Sequence, residues 1–262
     1  MLNFLVSSNI FTIARNTFRE AVRDRVLYNL VVFVLLITAS AIFLGELTGG
    51  QEARTIVNLG LSAMLLFGAF ISIFVGVSLV SKEIERRTVY AVLSKPVGRG
   101  EFIVGKYLGL CLTLLVNVLI MGIGVSLALL YVGGGRLAFS IWGAICLIFF
   151  ELTILTGVAI LFSSFSSPAL SALLAFLIFI IGHFSAALRE FAQNLGSGAA
   201  KLFFEILYWI LPILSNFSFI TNAAHGDTPP PAFLITAIVY AIFYNAVLLA
   251  IAVWIFRQRN FK

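Results

Sequence analysis

Charge is scarce in this chain. Only 11% of its 262 residues are Asp, Glu, Lys or Arg, while 61% are hydrophobic. With a mean hydropathy of +1.10, there are too few polar groups to clothe a soluble domain, which excludes the ordinary globular classes. Cysteine is nearly absent as well. Cys111 and Cys146 both sit inside apolar runs, where they read as small packing residues, so no disulfide framework is expected. The two histidines, His183 and His225, have no second or third ligand at a metal-like spacing. There is no Ser/His/Asp, Cys/His or clustered-carboxylate constellation, which argues against a self-contained enzyme. Gly100, Gly105 and Lys106 spell G-x-x-x-x-G-K, but Tyr107 follows where a phosphate loop needs a Ser or Thr hydroxyl for Mg²⁺.

What remains is apolar sequence in long blocks. A hydrocarbon core of about 30 Å takes roughly 20 residues of helix, and six blocks of that order are expected as spans: Val26 to Leu44, Ile56 to Val80, Tyr107 to Val132, Leu137 to Phe162, Ala169 to Leu188 and Ala232 to Phe256. The fourth and fifth are separated at S-S-F-S-S-P, Ser163 to Pro168, because the uncharged run there is too long for one crossing and proline favours a break. The predicted fold is all-α and polytopic, a single membrane domain over residues 1–262.

Lys and Arg set the orientation. Thirteen of them flank one side of this six-span arrangement and four the other, which places both termini in the cytoplasm. The net charge of +6 is therefore a topology signal and not a nucleic-acid footprint. Before the first span, residues 1–25 carry Phe11, Ala14, Phe18, Ala21 and Val22 at helical spacing beside a ridge of Thr12, Arg15, Arg19 and Arg23, the pattern of a helix lying in the interface. Residues 189–231 form an outer loop. Within it K-L-F-F-E-I-L-Y-W-I-L-P-I-L is too short and interrupted to cross and return, with Tyr208 and Trp209 suited to the interface and Pro212 to a turn.

The densest charge lies at 81–100, between the second and third spans. Ser81 is expected to cap a short helix there, with Glu83 and Glu85 near its positive end, Glu83 one turn from Arg87, and Val89, Val92 and Leu93 on an apolar face. Pro96, Gly98 and Gly100 would end it. On charge alone, a solvated cytoplasmic loop anchored by positive charge is the better reading of the segment.

The residue order resembles the signature of ABC-2 type permeases, the membrane subunits of ATP-driven exporters. An acidic-basic cluster is followed by Thr88, V-L-S-K-P-V-G-R, the aromatic Phe102, and Gly105-Lys106 before a span. Many members have Gly before the Thr, where this chain has Arg87. The resemblance implies that Ser81 to Ser94 is a coupling helix seated in a groove of an ATPase subunit, with Lys82, Glu83, Glu85, Arg86, Arg87, Thr88 and Leu93 as contact residues. It also implies a smaller second contact at Ser163 to Pro168, an outer re-entrant hairpin, and a second copy or related permease as partner. ATP and Mg²⁺ would be held by the cassette ATPase on another polypeptide, with no cofactor on this chain. The expected setting is the inner membrane of a prokaryote. The group serving nitrous-oxide reductase maturation, passing mechanical work to a periplasmic partner, is an alternative within the resemblance. A stand-alone membrane scaffold or enzyme lies outside it.

Small residues recur every four positions at Gly60, Met64, Gly68, Ser72 and Gly76, and again at Gly105, Gly109, Thr113 and Asn117, which marks close helix contacts or the lining of a substrate path. Glu151 is the one acid deep in an expected span and must face protein or water, or be protonated. Asn117 or Thr153 is the expected partner. His183 is a poor one, because depths counted from the outer ends of their spans differ by roughly 13 Å.

Overall fold

Backbone polar groups have no water to bond in a bilayer core, so an apolar chain of this length closes its hydrogen bonds within helices. The computed structural model describes residues 2–23, 25–46, 49–85, 98–185, 190 and 198–258, with the backbone alone at 2–8, 25–27, 29–30, 33, 41, 44–46, 82–85, 199–200 and 207. Among them are ten α-helices and no strand. In chain order these are α1 (Leu2–Val22), α2 (Arg25–Glu46), α3 (Glu52–Glu85), α4 (Arg99–Tyr131), α5 (Gly135–Ser140), α6 (Trp142–Ser163), α7 (Pro168–His183), α8 (Gly198–Ile210), α9 (Ile220–Ala224) and α10 (Pro231–Gln258). A 3₁₀ turn, Leu214–Phe217, lies between α8 and α9.

Among the described residues, four helices are long and apolar enough to cross a membrane: Glu52–Ser81, Arg99–Tyr131, Gly135–Ser163 and Pro231–Gln258. A fifth is reached if the pair Lys201–Ile210 and Leu214–Ala224, bent by 49°, counts as one span. The expected first and fifth spans fall on α2 and α7. With 16 residues, α7 extends only about 24 Å, short of a full crossing.

The helices assemble around α6, whose residues 151–160 are all buried. Small residues let α3 approach it. A Cβ at Gly68 would lie 2.5 Å from Leu152 Cδ1, and one at Gly76 would lie 3.1 Å from the Ala159 Cβ. Higher in α3, Gly60 faces Val125 of α4 and Thr38 of α2. These pairs put α3 and α6 parallel, with α4 antiparallel to both. On the far side α10 lays Asn245 and Leu248 against Gly157. The joint between α6 and α7 is built from its serines. Ser163 Oγ and Ser164 Oγ both donate to the Ile160 carbonyl, at 2.9 and 2.8 Å, Ser166 N–H donates to Phe162 O at 2.9 Å, and Pro168 opens α7 after Ser167.

α1 packs along α4. Asn9 Nδ2 donates to Glu101 Oε2 at 3.1 Å, a Cβ at Gly105 would strike Ile13 at 2.7 Å, and one at Gly109 would strike Thr17 and the Ala14 carbonyl at 2.6 Å. The pairs advance together, so the two helices run parallel, and the second small-residue stripe is the seat of α1. Thr17 and Ala21 are buried, whereas Phe11, on the apolar face expected to lie in the interface, is 71% exposed.

Between α8 and α10, Pro212 follows the end of α8 as expected, and two tyrosines of α10 hold the bend. Ile213 N–H donates to Tyr240 Oη at 3.0 Å, and Tyr244 Oη donates to the Ile210 carbonyl at 2.9 Å. Leu214 and Phe217 fill the core beneath it, while Leu202, Phe203, Ile206 and Trp209 stay exposed along α8.

Candidate functional site

One expectation for the charged segment is overturned. Ser81 does not cap a new helix: it is buried inside α3, which continues unbroken through Lys82, Glu83 and Glu85. Nothing in S-K-E-I-E interrupts a helix, so the span simply projects one more turn. Glu83 and Glu85 consequently lie on the continuation of α3 and not in the first turn of a helix opened by Ser81, so the favourable dipole position expected for them is not found. Arg86, Arg87, Thr88, Leu93 and the rest of 86–97 lie outside the described residues, and the expected Glu83–Arg87 pair with them.

Both flanks of that segment are tied to the same small core. Val80 from the end of α3, Phe102, Ile103 and Tyr107 from the start of α4, Ile160 from the end of α6, and Ala252 and Phe256 from the end of α10 pack into one buried cluster. Phe102 and Phe256 stack with centroids 5.8 Å apart, and Arg99 Nη1 donates to the carbonyl of Arg257 at 2.8 Å. Gly98 N–H donates to Glu101 Oε2 at 3.2 Å, closing the first turn of α4. Gly100, Gly105 and Lys106 lie within this helix and form no loop. Lys106 is instead a buried structural cation, 3.4 Å from Glu20 Oε2 of α1 and 5.8 Å from the Phe102 ring centroid. Four helices therefore end in one plug beside the charged segment, an arrangement the sequence did not reveal because its members are spread over more than 170 residues.

The S-S-F-S-S-P joint offers a second exposed feature. Ser163 and Ser164 are buried, but Phe165 is 48% exposed.

Among the inner candidates, Gly68, Ser72 and Gly76 line the α3 face that seats α6, as the flanking contacts to Leu152 and Ala159 require. Ser72 Oγ is buried without a hydrogen-bond partner, as is Asn117 Nδ2 on α4. The expected partners of Glu151 are corrected. Thr153 Oγ1 donates to Phe150 O at 2.6 Å and accepts from Asn245 Nδ2 at 3.1 Å. The polar atom that faces Glu151 Oε1 is His183 Nε2, at 3.4 Å. That separation is within ion-pair reach yet long for a hydrogen bond, and neither Glu151 oxygen has one. Depth counted from outer ends misled, because α6 and α7 are joined at the inner turn. From there Glu151 is 12 residues up α6 and His183 15 up α7, a difference of only about 4.5 Å.

A family model described as ABC-2 family transporter protein matches residues 11–261. No curated protein matches the chain.

Proposed function

The chain belongs to the ABC-2 transporter family, and from that premise we propose that it is the permease subunit of an ATP-binding cassette transporter, exporting a substrate by alternating access. ATP and Mg²⁺ are handled by separate ATPase subunits, and a second permease completes the pathway. The observation that supports this reading is the buried cluster at the ends of α3, α4, α6 and α10. A push on residues 81–100 enters α3 and α4 through Val80 and Phe102 and reaches α6 and α10 without a flexible link. The acidic residues Glu83 and Glu85 on the extension of α3 suit a partner that brings cations. In this reading the protein crosses the prokaryotic inner membrane six times, with α1 at the cytoplasmic boundary, both termini inside and 189–231 outside.

The test is to purify the full chain from cells containing its cytoplasmic partners and to compare it with the double variant E83K/E85K. Because desolvated like charges cost several kcal/mol, the variant is expected to insert normally, lose the ATPase subunit and lose transport-linked hydrolysis. Equal co-purification and turnover would overturn the assignment of this segment. Orientation is read separately, after Cys111 and Cys146 are replaced. A cysteine at Gly226 should react with an impermeant maleimide in intact cells and one at Gly98 should not. Outside labelling at Gly98 would overturn the topology.

A further inference from the structure

We propose that Glu151 and His183 form a one-proton binding site inside the membrane domain, and that the shared proton clasps α7 to α6. Glu151 is fully buried, and His183 Nε2 is the polar atom that faces it. The other ring nitrogen settles the proton count. His183 Nδ1 lies 3.2 Å from the Phe179 carbonyl, and a carbonyl only accepts, so Nδ1 carries hydrogen. Nε2 then meets Glu151 either as a bare nitrogen facing a carboxylic acid or as the second N–H of an imidazolium facing a carboxylate. Both forms contain the same proton, and both are neutral overall. Removing it leaves a carboxylate beside a neutral ring, and adding another leaves an imidazolium beside an acid; each strands a net charge away from water.

Among the described residues, no other titratable group shares the load. α3 carries none between Arg54 and Lys82. Tyr107 and Cys111 of α4 face each other and Thr153, while Tyr240 and Tyr244 of α10 are committed to the bend at 210–213. Among the described residues, no second acid or base comes within ion-pair distance of either partner.

The clasp adds to a thin seat, in which α7 is held by Phe176 stacked on Phe70 with centroids 6.0 Å apart, by Gly182 against Leu214, and by small buried residues. The buried residues of α7 are Ser171, Ala175 and Gly182, all small, whereas Leu170, Leu173, Leu177 and Ile180 are exposed. Phe179 stacks edge-on to the His183 ring at 4.8 Å, which fixes the imidazole plane. The inner turn pins one end of the α6–α7 hairpin, and this pair pins the other. The proposal rests on this geometry and goes beyond the ATPase reading, so either can fail alone.

The experiment uses the full chain in lipid nanodiscs with ¹⁵N-labelled histidine. The variant H225Q removes the other histidine, an exposed one, and leaves a single ring to observe. An imidazolium with both nitrogens protonated, or a neutral ring whose Nε2 is strongly hydrogen-bonded, is the expected spectrum at neutral pH and supports the site. A neutral ring with a free Nε2 overturns it, and this reading needs no change at Glu151. Adding E151Q should shift the Nε2 resonance, and an unchanged spectrum also overturns the site. The clasp is read by a cysteine at Ala175, in a chain without Cys111 and Cys146, reacted with a membrane-permeant maleimide. Labelling should rise several-fold when H183L is added, and an unchanged rate would show that the pair does not hold α7.

Discussion

α6 and α10 are both long, apolar helices, yet their surroundings are opposite. In the most apolar stretch of each, 72% of the α5–α6 span is buried inside the protein and only 22% of α10. In water such a difference would show as polar against apolar sequence. In a bilayer both lipid and protein interior accept hydrocarbon, so the distinction moves to side-chain size and to isolated polar atoms. α6 carries Glu151, Thr153, Thr156, Gly157 and Ser163, every one buried. The buried residues of α10 are mostly small, Ala237, Ala241, Asn245 and Ala252, with Leu248 and Phe256 among them, while Ile235, Val239, Ile242, Phe243 and Trp254 face out.

If that sorting rule holds, substitutions on the two helices should separate widely. The largest effect is expected for Gly157→Leu on α6, where a Cβ would already lie 2.9 Å from Asn245 Oδ1 and 3.0 Å from Leu248. Overpacking of this kind costs about 3 kcal/mol, and the fraction recovered as a folded peak after detergent extraction should fall sharply. Asn245→Ala comes next, removing the 3.1 Å bond to Thr153. Interhelical hydrogen bonds in membranes contribute about 0.6 kcal/mol and at most about 1.7, so a measurable but modest drop in unfolding midpoint is expected. The smallest belongs to Phe243→Ala. Although it deletes a large ring, the residue is 70% exposed, and the shift should stay within about 0.5 kcal/mol. A Phe243 variant as damaging as the Gly157 one would mean that this face of α10 is covered by protein instead of lipid.

The same physics explains which features were legible. Breaks were readable because Pro168, Pro212 and the serines between α6 and α7 act through local geometry, and the small-residue stripes pointed correctly to close contacts. Partners were not. Nothing in a stripe at Gly105 and Gly109 says that α1 fills it, since the complementary Ile13 and Thr17 look like any helical residues. The charged connector was misread at its start because Ser81 is an ordinary cap residue in isolation, whereas nothing in S-K-E-I-E breaks a helix and α3 runs past it. Pairing Glu151 with His183 required knowing which ends of two helices are joined. Span number was obscured by α7, whose apolar sequence continues past the helix that the structure gives it.

The α1–α4 seam has a temporal consequence. Asn9 meets its acceptor 92 residues later in the chain, so at about 5–20 residues per second the first helix emerges roughly 5–20 s before its seat has been synthesised. During that interval α1 is an unseated amphipathic segment, with Arg15, Arg19 and Arg23 along one side. Anionic lipid headgroups are the natural place for it to wait. A newborn chain truncated before Gly105 should therefore carry a lipid-parked N-terminus that the finished protein no longer has.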